Sequence, residues 1–326
     1  MQKTLILLIC SWLIVACNEK NQDQGLLSLP PYKTLTDSIQ QQPESAELYY
    51  RRGSLLYANN EIKAAETDLR KAWELQPSEQ HALGVSRLLR QVKPDEAIGF
   101  LEEALKKLPG SLFIQVQLAQ GYKSKGKLDQ SLALSNEVTT KYPNNIDALL
   151  LKAEILKMKE QYAEAISTLE KAYQMAPGDV ELVHTLAFDY AENKDFKAIS
   201  LSDSLIRADT EKKHPEPHYF KGLYYENTGN TKEALKHFDE AIRINYNFLD
   251  AHMDKGQTLY MAKRYEEAAA TFNRAITITP TFPDAFYWLA KTEEAMGKKQ
   301  EAKLNYQRAY GLDKTMTEAK EAADAL

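Results

Sequence analysis

Cysteine is almost absent from this chain of 326 residues: there are 2, Cys10 and Cys17, both close to the N-terminus. Everything after Cys17 is therefore without a disulfide framework and without a Cys-x-x-Cys metal or redox pair. Glycine is also sparse, 13 in all, and none of it forms a phosphate-cradling loop; a His-Glu-x-x-His zinc motif is missing too. No basic stripe is present. Acidic and basic residues are interspersed, with a formal net charge of −5, which excludes the electrostatic footprint of a nucleic-acid-binding protein. Long apolar runs are missing with one exception, Leu5 to Ala16, and that run is shorter than a membrane span requires.

What is there begins with that run. It follows a single lysine and gives way at once to polar "NEKNQDQG", so residues 1–16 read as a signal peptide; the alternative is a buried N-terminal helix. Its end, "Ile14-Val15-Ala16-Cys17", resembles the lipobox of bacterial lipoproteins. That resemblance implies cleavage before Cys17, a thioether from its sulfur to diacylglycerol, and stable anchoring by acyl chains. Asn18 in place of aspartate implies an outer-membrane lipoprotein facing the periplasm. Residues 17–32, polar and then rich in Leu and Pro, read as a tether.

The remainder is periodic. "YEEAAATFNRAITITP", from Tyr265 to Pro280, has copies at "TKEALKHFDEAIRINY", "KQEAKLNYQRAYGLDK", "YAEAISTLEKAYQMAP", "PDEAIGFLEEALKKLP" and "IKAAETDLRKAWELQP". The alanine that begins each motif stands at Ala65, Ala97, Ala165, Ala234, Ala268 and Ala302, with Ser131 and Ile199 in two weaker copies. Their spacings are 32, 34, 34, 34, 35, 34 and 34 residues. Seven residues further lie Ala72, Ala104, Val138, Ala172, Ile206, Ala241, Ala275 and Ala309. Twelve residues before each motif alanine lie Gly53, Ala119, Ala153, Ala187, Gly222, Gly256 and Ala290, with Val85 the bulkier exception. Large residues at offsets of three and four from these small ones share their helical face. Gly126, Gly229 and Gly297 mark turns that call for positive φ.

Each unit is therefore two antiparallel helices whose small residues let the backbones approach. The period, with its Gly, Ala, aromatic and Pro positions, resembles the tetratricopeptide repeat. The expected fold is an all-α, right-handed α-solenoid of about eight helix-turn-helix repeats over residues 46–314. Units start at Ala46, Ser78, Leu112, Ile146, Val180, Pro215, Leu249 and Pro283. Residues 33–45 read as a partial leading repeat and residues 315–326 as a capping helix, since the end faces of a repeat array must be covered. Two places depart from the pattern. The fifth unit has Asp203 where a large apolar residue belongs and one extra residue after it, and the first junction, "WELQPSEQHALGV", is two residues short.

No catalytic domain has room to hide in this arrangement, so the chain reads as a non-enzyme without cofactor or metal. The nearest approach to a metal pair is His214 and His218 in "KHPEPH", but Pro215 and Pro217 start a helix that leaves His214 outside. The family resemblance implies that the first helices line a concave groove where ligands lie. The groove candidates are Tyr50, Tyr57, Phe113, Val116, Lys123, Leu150, Met158, His184, Phe188, Tyr219, Leu223, Met253, Tyr260, Met261, Tyr287 and Lys291. Their tyrosines and methionines suit adaptable contact with a polypeptide. A third of them are expected to pack against neighbouring first helices instead. The basic set with which chaperone-binding members of the family hold a C-terminal carboxylate is not supplied by any three consecutive units. The expectation is a lipid-anchored scaffold that binds a protein or peptide partner in envelope assembly or secretion. The alternative is a cell-wall or polysaccharide binding module that organises envelope enzymes, with Tyr50, Tyr57, Tyr219, Tyr260 and Tyr287 stacking on sugars.

Overall fold

The computed structural model describes residues 25–326; Cys17, the apolar run before it and the polar stretch directly after it lie outside the described residues. The described part is an all-α solenoid of tandem helix-turn-helix repeats. Its described residues form two compact bodies, one over residues 25–160 and one over residues 161–326.

The N-terminal body contains α1 (Lys33–Gln41), α2 (Ala46–Ala58), α3 (Ile62–Leu75), α4 (Glu79–Val92), α5 (Pro94–Lys107), α6 (Leu112–Ser124), α7 (Leu128–Lys141) and α8 (Ile146–Met158). The C-terminal body contains α9 (Tyr162–Met175), α10 (Val180–Glu192), α11 (Lys197–Ala208), α12 (Glu216–Asn227), α13 (Thr231–Ile244), α14 (Leu249–Met261), α15 (Tyr265–Ile278), α16 (Pro283–Ala295), α17 (Lys299–Leu312) and α18 (Thr317–Ala325). The expected unit starts coincide with helix starts, or with the N-cap residue immediately before one at Ser78 and Pro215. Ser78, Ser111, Asn145 and Asp179 accept a hydrogen bond from the third backbone N–H of the helix each begins, which satisfies one of its orphan donors.

The small-residue positions do what their size suggests. Ala65, Ala72, Ala97, Ala104, Ala153, Ala165, Ala172, Ala234, Ala241, Ala268, Ala275, Ala290, Ala302 and Ala309 are all buried. Gly53, Gly222 and Gly256 are buried on first helices, each under a large residue of the second helix: Leu69, Phe238 and Phe272. A β-carbon at Gly222 would stand 2.5 Å from the Phe238 ring. In the second unit Val85 takes the small position, and the close approach moves one residue back: a β-carbon at Gly84 would stand 2.9 Å from the Tyr50 ring.

The turns inside the units share one device. Gly126, Gly229 and Gly297 have φ of +70°, +81° and +76°, as expected. Asn60, Glu160, Lys194 and Lys263 hold positive φ at the matching places. After Gly126 the Lys127 amide reaches back to the Tyr122 carbonyl at 2.9 Å, a Schellman closure. The second unit has Val92 at this place. A β-branched residue resists positive φ, and there α4 runs on to Val92 with a single residue, Lys93, before α5.

The ends are covered on both sides. Ala319 and Ala323 of α18 are buried against Phe286, Ala290 and Tyr306. At the other end, part of the stretch expected as a tether over residues 17–32 is packed against the fold. Tyr32 is buried, Leu26 and Leu27 pack against the first core, and Thr36 Oγ1 donates to the Leu27 carbonyl at 2.7 Å. Leu26, Leu27 and Tyr32 thereby extend the covered face beyond α1, while Leu29 stays exposed.

The fifth unit absorbs its polar intrusion by pairing. Lys221 Nζ of α12 lies 2.7 Å from Asp203 Oδ1 of α11. The extra residue falls in the segment between them, where Lys212 has φ of 53° and the His214 amide donates to Asp209 Oδ2 at 2.8 Å.

Candidate first-helix binding face

In the N-terminal body a cleft of about 660 Å³ opens between α6 and α8, the first helices of the third and fourth units. Phe113, Val116 and Lys123 line it from α6 and Leu150 from α8, so four groove candidates fall in one cavity. Phe113 is 48% exposed, unusual for a phenylalanine in a packed array. Lys123 Nζ pairs with Glu154 Oε1 at 2.5 Å across the two helices. Gln117 and Gln120 add amides to the lining. The buried Oε1 of Gln117 has no hydrogen-bond partner among the described residues, an acceptor that a ligand N–H would satisfy. Further along the same face Met158 is exposed. Tyr50 and Tyr57 are half-buried: the Tyr50 ring lies 5.3 Å from His81, and the Tyr57 hydroxyl donates to Gln91 Oε1 at 2.7 Å.

In the C-terminal body the same face is differently made. Phe188 and His184 stand edge-on to Phe220, at 6.0 and 5.7 Å between ring centres. Burial lowers the pKa of His184. Tyr219 donates to Asp254 Oδ2 at 2.7 Å, joining α12 to α14, and burial with that carboxylate beside it holds its hydroxyl far above the usual phenol range. Thr258 Oγ1 donates to Glu226 Oε1 at 2.6 Å, joining the same two helices. Asn227 Nδ2 donates to the Ala191 carbonyl of α10 at 3.2 Å. Burial pushes the Glu226 carboxyl up to about 7 and that of Asp254 up to about 6. Glu192 is raised by the same cause.

Two groove candidates are corrected by the structure: Leu223 and Met253 are buried. An apolar side chain between adjacent first helices is drawn into their packing, and Met253 belongs to the core of the seventh and eighth units. Met261 is 68% exposed and stays on the open face. Tyr260 and Tyr287 both stand edge-on to Trp288, at 5.7 and 6.2 Å. Lys291 Nζ lies 4.7 Å from the Trp288 ring centre, a cation–π contact. All five tyrosines named for sugar stacking make ring or hydroxyl contacts inside the protein.

Trp288, Phe220, Asp254 and Gln117 escaped the sequence reading. All stand two residues before the small position of their helix, an offset that recurs in each unit. His218 finds its neighbour in His237 rather than His214. Their Nδ1 atoms are 3.5 Å apart, Tyr225 stacks on His237 at 7°, and burial pushes the His237 pKa down to about 4. Among the described residues no group of three or more His, Cys, Asp or Glu is placed to hold a metal ion.

One tetratricopeptide repeat model matches residues 116–180 and 219–286, and a second matches residues 46–79 and 283–316. Human tetratricopeptide repeat protein 13 is 29% identical over 168 residues, which is 50% of this chain and 19% of that protein. ER membrane protein complex subunit 2 of Xenopus tropicalis is 26% identical over 160 residues, 47% of this chain and 52% of that protein. The match thus spans about a fifth of one relative and about half of the other. A tetratricopeptide repeat protein from Parabacteroides merdae superposes with a TM-score of 0.51 at 15% identity, covering 86% of this chain and 97% of that one. PilW, a type IV pilus biogenesis factor, gives 0.52 at 18% identity, covering 64% and 96%. Both structures are alike in fold.

Proposed function

The chain belongs to the tetratricopeptide repeat family, and on that premise we propose that it is a lipid-anchored scaffold whose first-helix face binds a protein or peptide partner. The cleft between α6 and α8 carries this reading. It combines an exposed aromatic ring at Phe113, an apolar wall at Val116 and Leu150, and unspent amide hydrogen-bonding capacity at Gln117. That mixture suits a polypeptide, which brings apolar side chains and backbone N–H groups together. No reaction chemistry enters this reading.

The anchor is the second part. It is a lipid on Cys17, and the sequence "Ile14-Val15-Ala16-Cys17" supports it; among the described residues no helix is long and apolar enough to cross a membrane. The resulting place of work is the periplasmic side of an outer membrane, within an envelope assembly or secretion complex. A pull-down from detergent-solubilised envelope tests the whole reading, with wild-type chain compared against Phe113→Ala/Leu150→Ala and Cys17→Ser. A partner recovered by the wild type and lost with the cleft variant supports it. Equal recovery by both contradicts the binding face, and fatty-acid label that persists in Cys17→Ser contradicts the anchor.

A further inference from the structure

The first-helix faces of the two bodies differ in charge: that of the C-terminal body is acidic and that of the N-terminal body is balanced. On each first helix the face consists of the residues six, three and two before the small position and one, four and five after it. In the C-terminal body this places Glu181, Glu192, Glu216, Glu226, Asp250, Asp254, Asp284 and Glu294 on the face, against a single amine, Lys291. In the N-terminal body the same offsets give Glu47, Glu79, Asp147 and Glu154 against Arg51, Arg90, Lys123 and Lys157. Acidic residues in the first turn of a helix have a local reason to be there, because they favour its positive end. Setting those aside sharpens the contrast. Glu192, Glu226, Asp254 and Glu294 remain against Lys291 in one body, and Glu154 alone remains against four cations in the other.

Neutral donors, not cations, serve the central carboxylates. Tyr219 serves Asp254, and Thr258 serves Glu226. Among the described residues no lysine or arginine pairs with either, and their charged neighbours are further carboxylates: Glu192 acts on both, Asp250 on Asp254, and Asp254 on Glu226. Lys291 is turned to the Trp288 ring. Apolar groups lie exposed on the same face, Phe188 on α10 at 37% and Met261 on α14 at 68%. Carboxylates held out of water beside like charges are unfavourable as they stand. A cation delivered among them gains attraction that solvent screens only weakly.

We infer that the first-helix face of the C-terminal body takes a polypeptide segment that carries lysine or arginine among apolar side chains, its cations set against Glu192, Glu226 and Asp254 and its apolar groups against Phe188 and Met261. The inference rests on the reading of that face as a polypeptide-binding surface, and adds the chemistry of what binds.

Calorimetric titration of the full chain with three synthetic peptides tests it. The peptides have equal length and leucine content, and their polar positions are all lysine, all glutamine or all glutamate. The lysine peptide is expected to bind at least about ten-fold more tightly than the glutamine peptide, with the glutamate peptide weaker still. Glu226→Gln/Asp254→Asn should weaken the lysine peptide by about ten-fold, while Glu266→Gln/Glu301→Gln, which removes as much charge from exposed positions on second helices, leaves it unchanged. Thermal melts establish that both variants are folded. Equal binding of the lysine and glutamine peptides, or equal loss in both variants, overturns the charge inference and leaves the binding face standing. Failure of all three peptides overturns the inference as well, and crosslinking from Phe113 in the cell then decides the fate of the binding face separately.

Discussion

The ring of Phe272 lies directly over Gly256: a β-carbon on that glycine would stand 2.5 Å from Cε1 and 2.7 Å from Cζ. Contacts this short do not occur between unstrained carbon atoms, so any side chain at Gly256 must push the ring or the α14 backbone aside. The glycine is therefore required by packing, in a helix interior where its conformational freedom is otherwise a cost.

Alanine at Gly256 sets two effects against each other. Helix propensity favours it by about 1 kcal/mol, and overpacking opposes it by about 1–3 kcal/mol. Overpacking is expected to win, and Gly256→Ala should lower the melting temperature. Gly99, in the interior of α5, has nothing within 4 Å of its would-be β-carbon. There the same substitution should stabilise by about 1 kcal/mol. Melts of the two variants should shift in opposite directions, and shifts of the same sign contradict the packing register.

A second prediction concerns an ion pair buried in the first unit. Arg52 Nε and Nη2 meet Asp68 Oδ2 and Oδ1 at 2.6 and 2.8 Å, and Arg52 Nη1 donates to Thr36 Oγ1 at 3.0 Å. The pair ties α1, α2 and α3 together. Burial raises the Asp68 pKa even with Arg52 opposing it, so Asp68 left alone would be costly. Arg52→Met should destabilise by roughly 3–5 kcal/mol, and Arg52→Met/Asp68→Leu should recover much of that loss. Denaturant unfolding measures both; a double variant as unstable as the sum of its singles would contradict the pairing argument.

Acidity should act on α12 and α14 through Glu226 and Asp254. Both have folded-state pKa values raised by burial, to about 7 and about 6. A raised carboxylate binds protons more tightly in the folded state than in the unfolded chain. Its contribution is thus present at low pH and lost as pH rises through the folded value. The groups that face them are Thr258 and Tyr219, which lower their pKa, and Glu192 and Asp250, which raise it. Buried histidines with lowered pKa, His237 foremost, act in the opposite sense, so the useful observable is a difference. Glu226→Gln/Asp254→Asn should be more stable than wild type at pH 8, by on the order of 1–3 kcal/mol. That advantage should shrink as pH falls to 5. An advantage independent of pH would contradict the assignment.

Much of this architecture is legible in the sequence because small residues leave a period. Ala97 and Ala104, or Ala268 and Ala275, announce a close helix contact whatever surrounds them, and the turn glycines announce positive φ. The binding face is less legible. Leu223 and Met253 occupy face positions by offset, yet apolar atoms between adjacent first helices are pulled into the core. Tyr260 and Tyr287 read as spare, but a tryptophan between them at Trp288 engages both rings. The Arg52–Asp68 pair was invisible because its partners lie on different helices and no periodic position marks them. Residues 26–32 read as a tether because Leu and Pro without period suit a linker as well as a cap.

The central claim is that the first-helix face, and not the outer surface of the second helices, meets the partner. Photocrosslinking in the native cell tests it most directly, with a light-activated phenylalanine analogue placed at Phe113 in one strain and at Leu304 in another. Both positions are exposed, at 48% and 55%, and Leu304 lies on α17, a second helix, so accessibility alone does not favour either. A discrete crosslinked protein is expected from position 113 and none from position 304. A discrete product from position 304 with none from position 113 would contradict it.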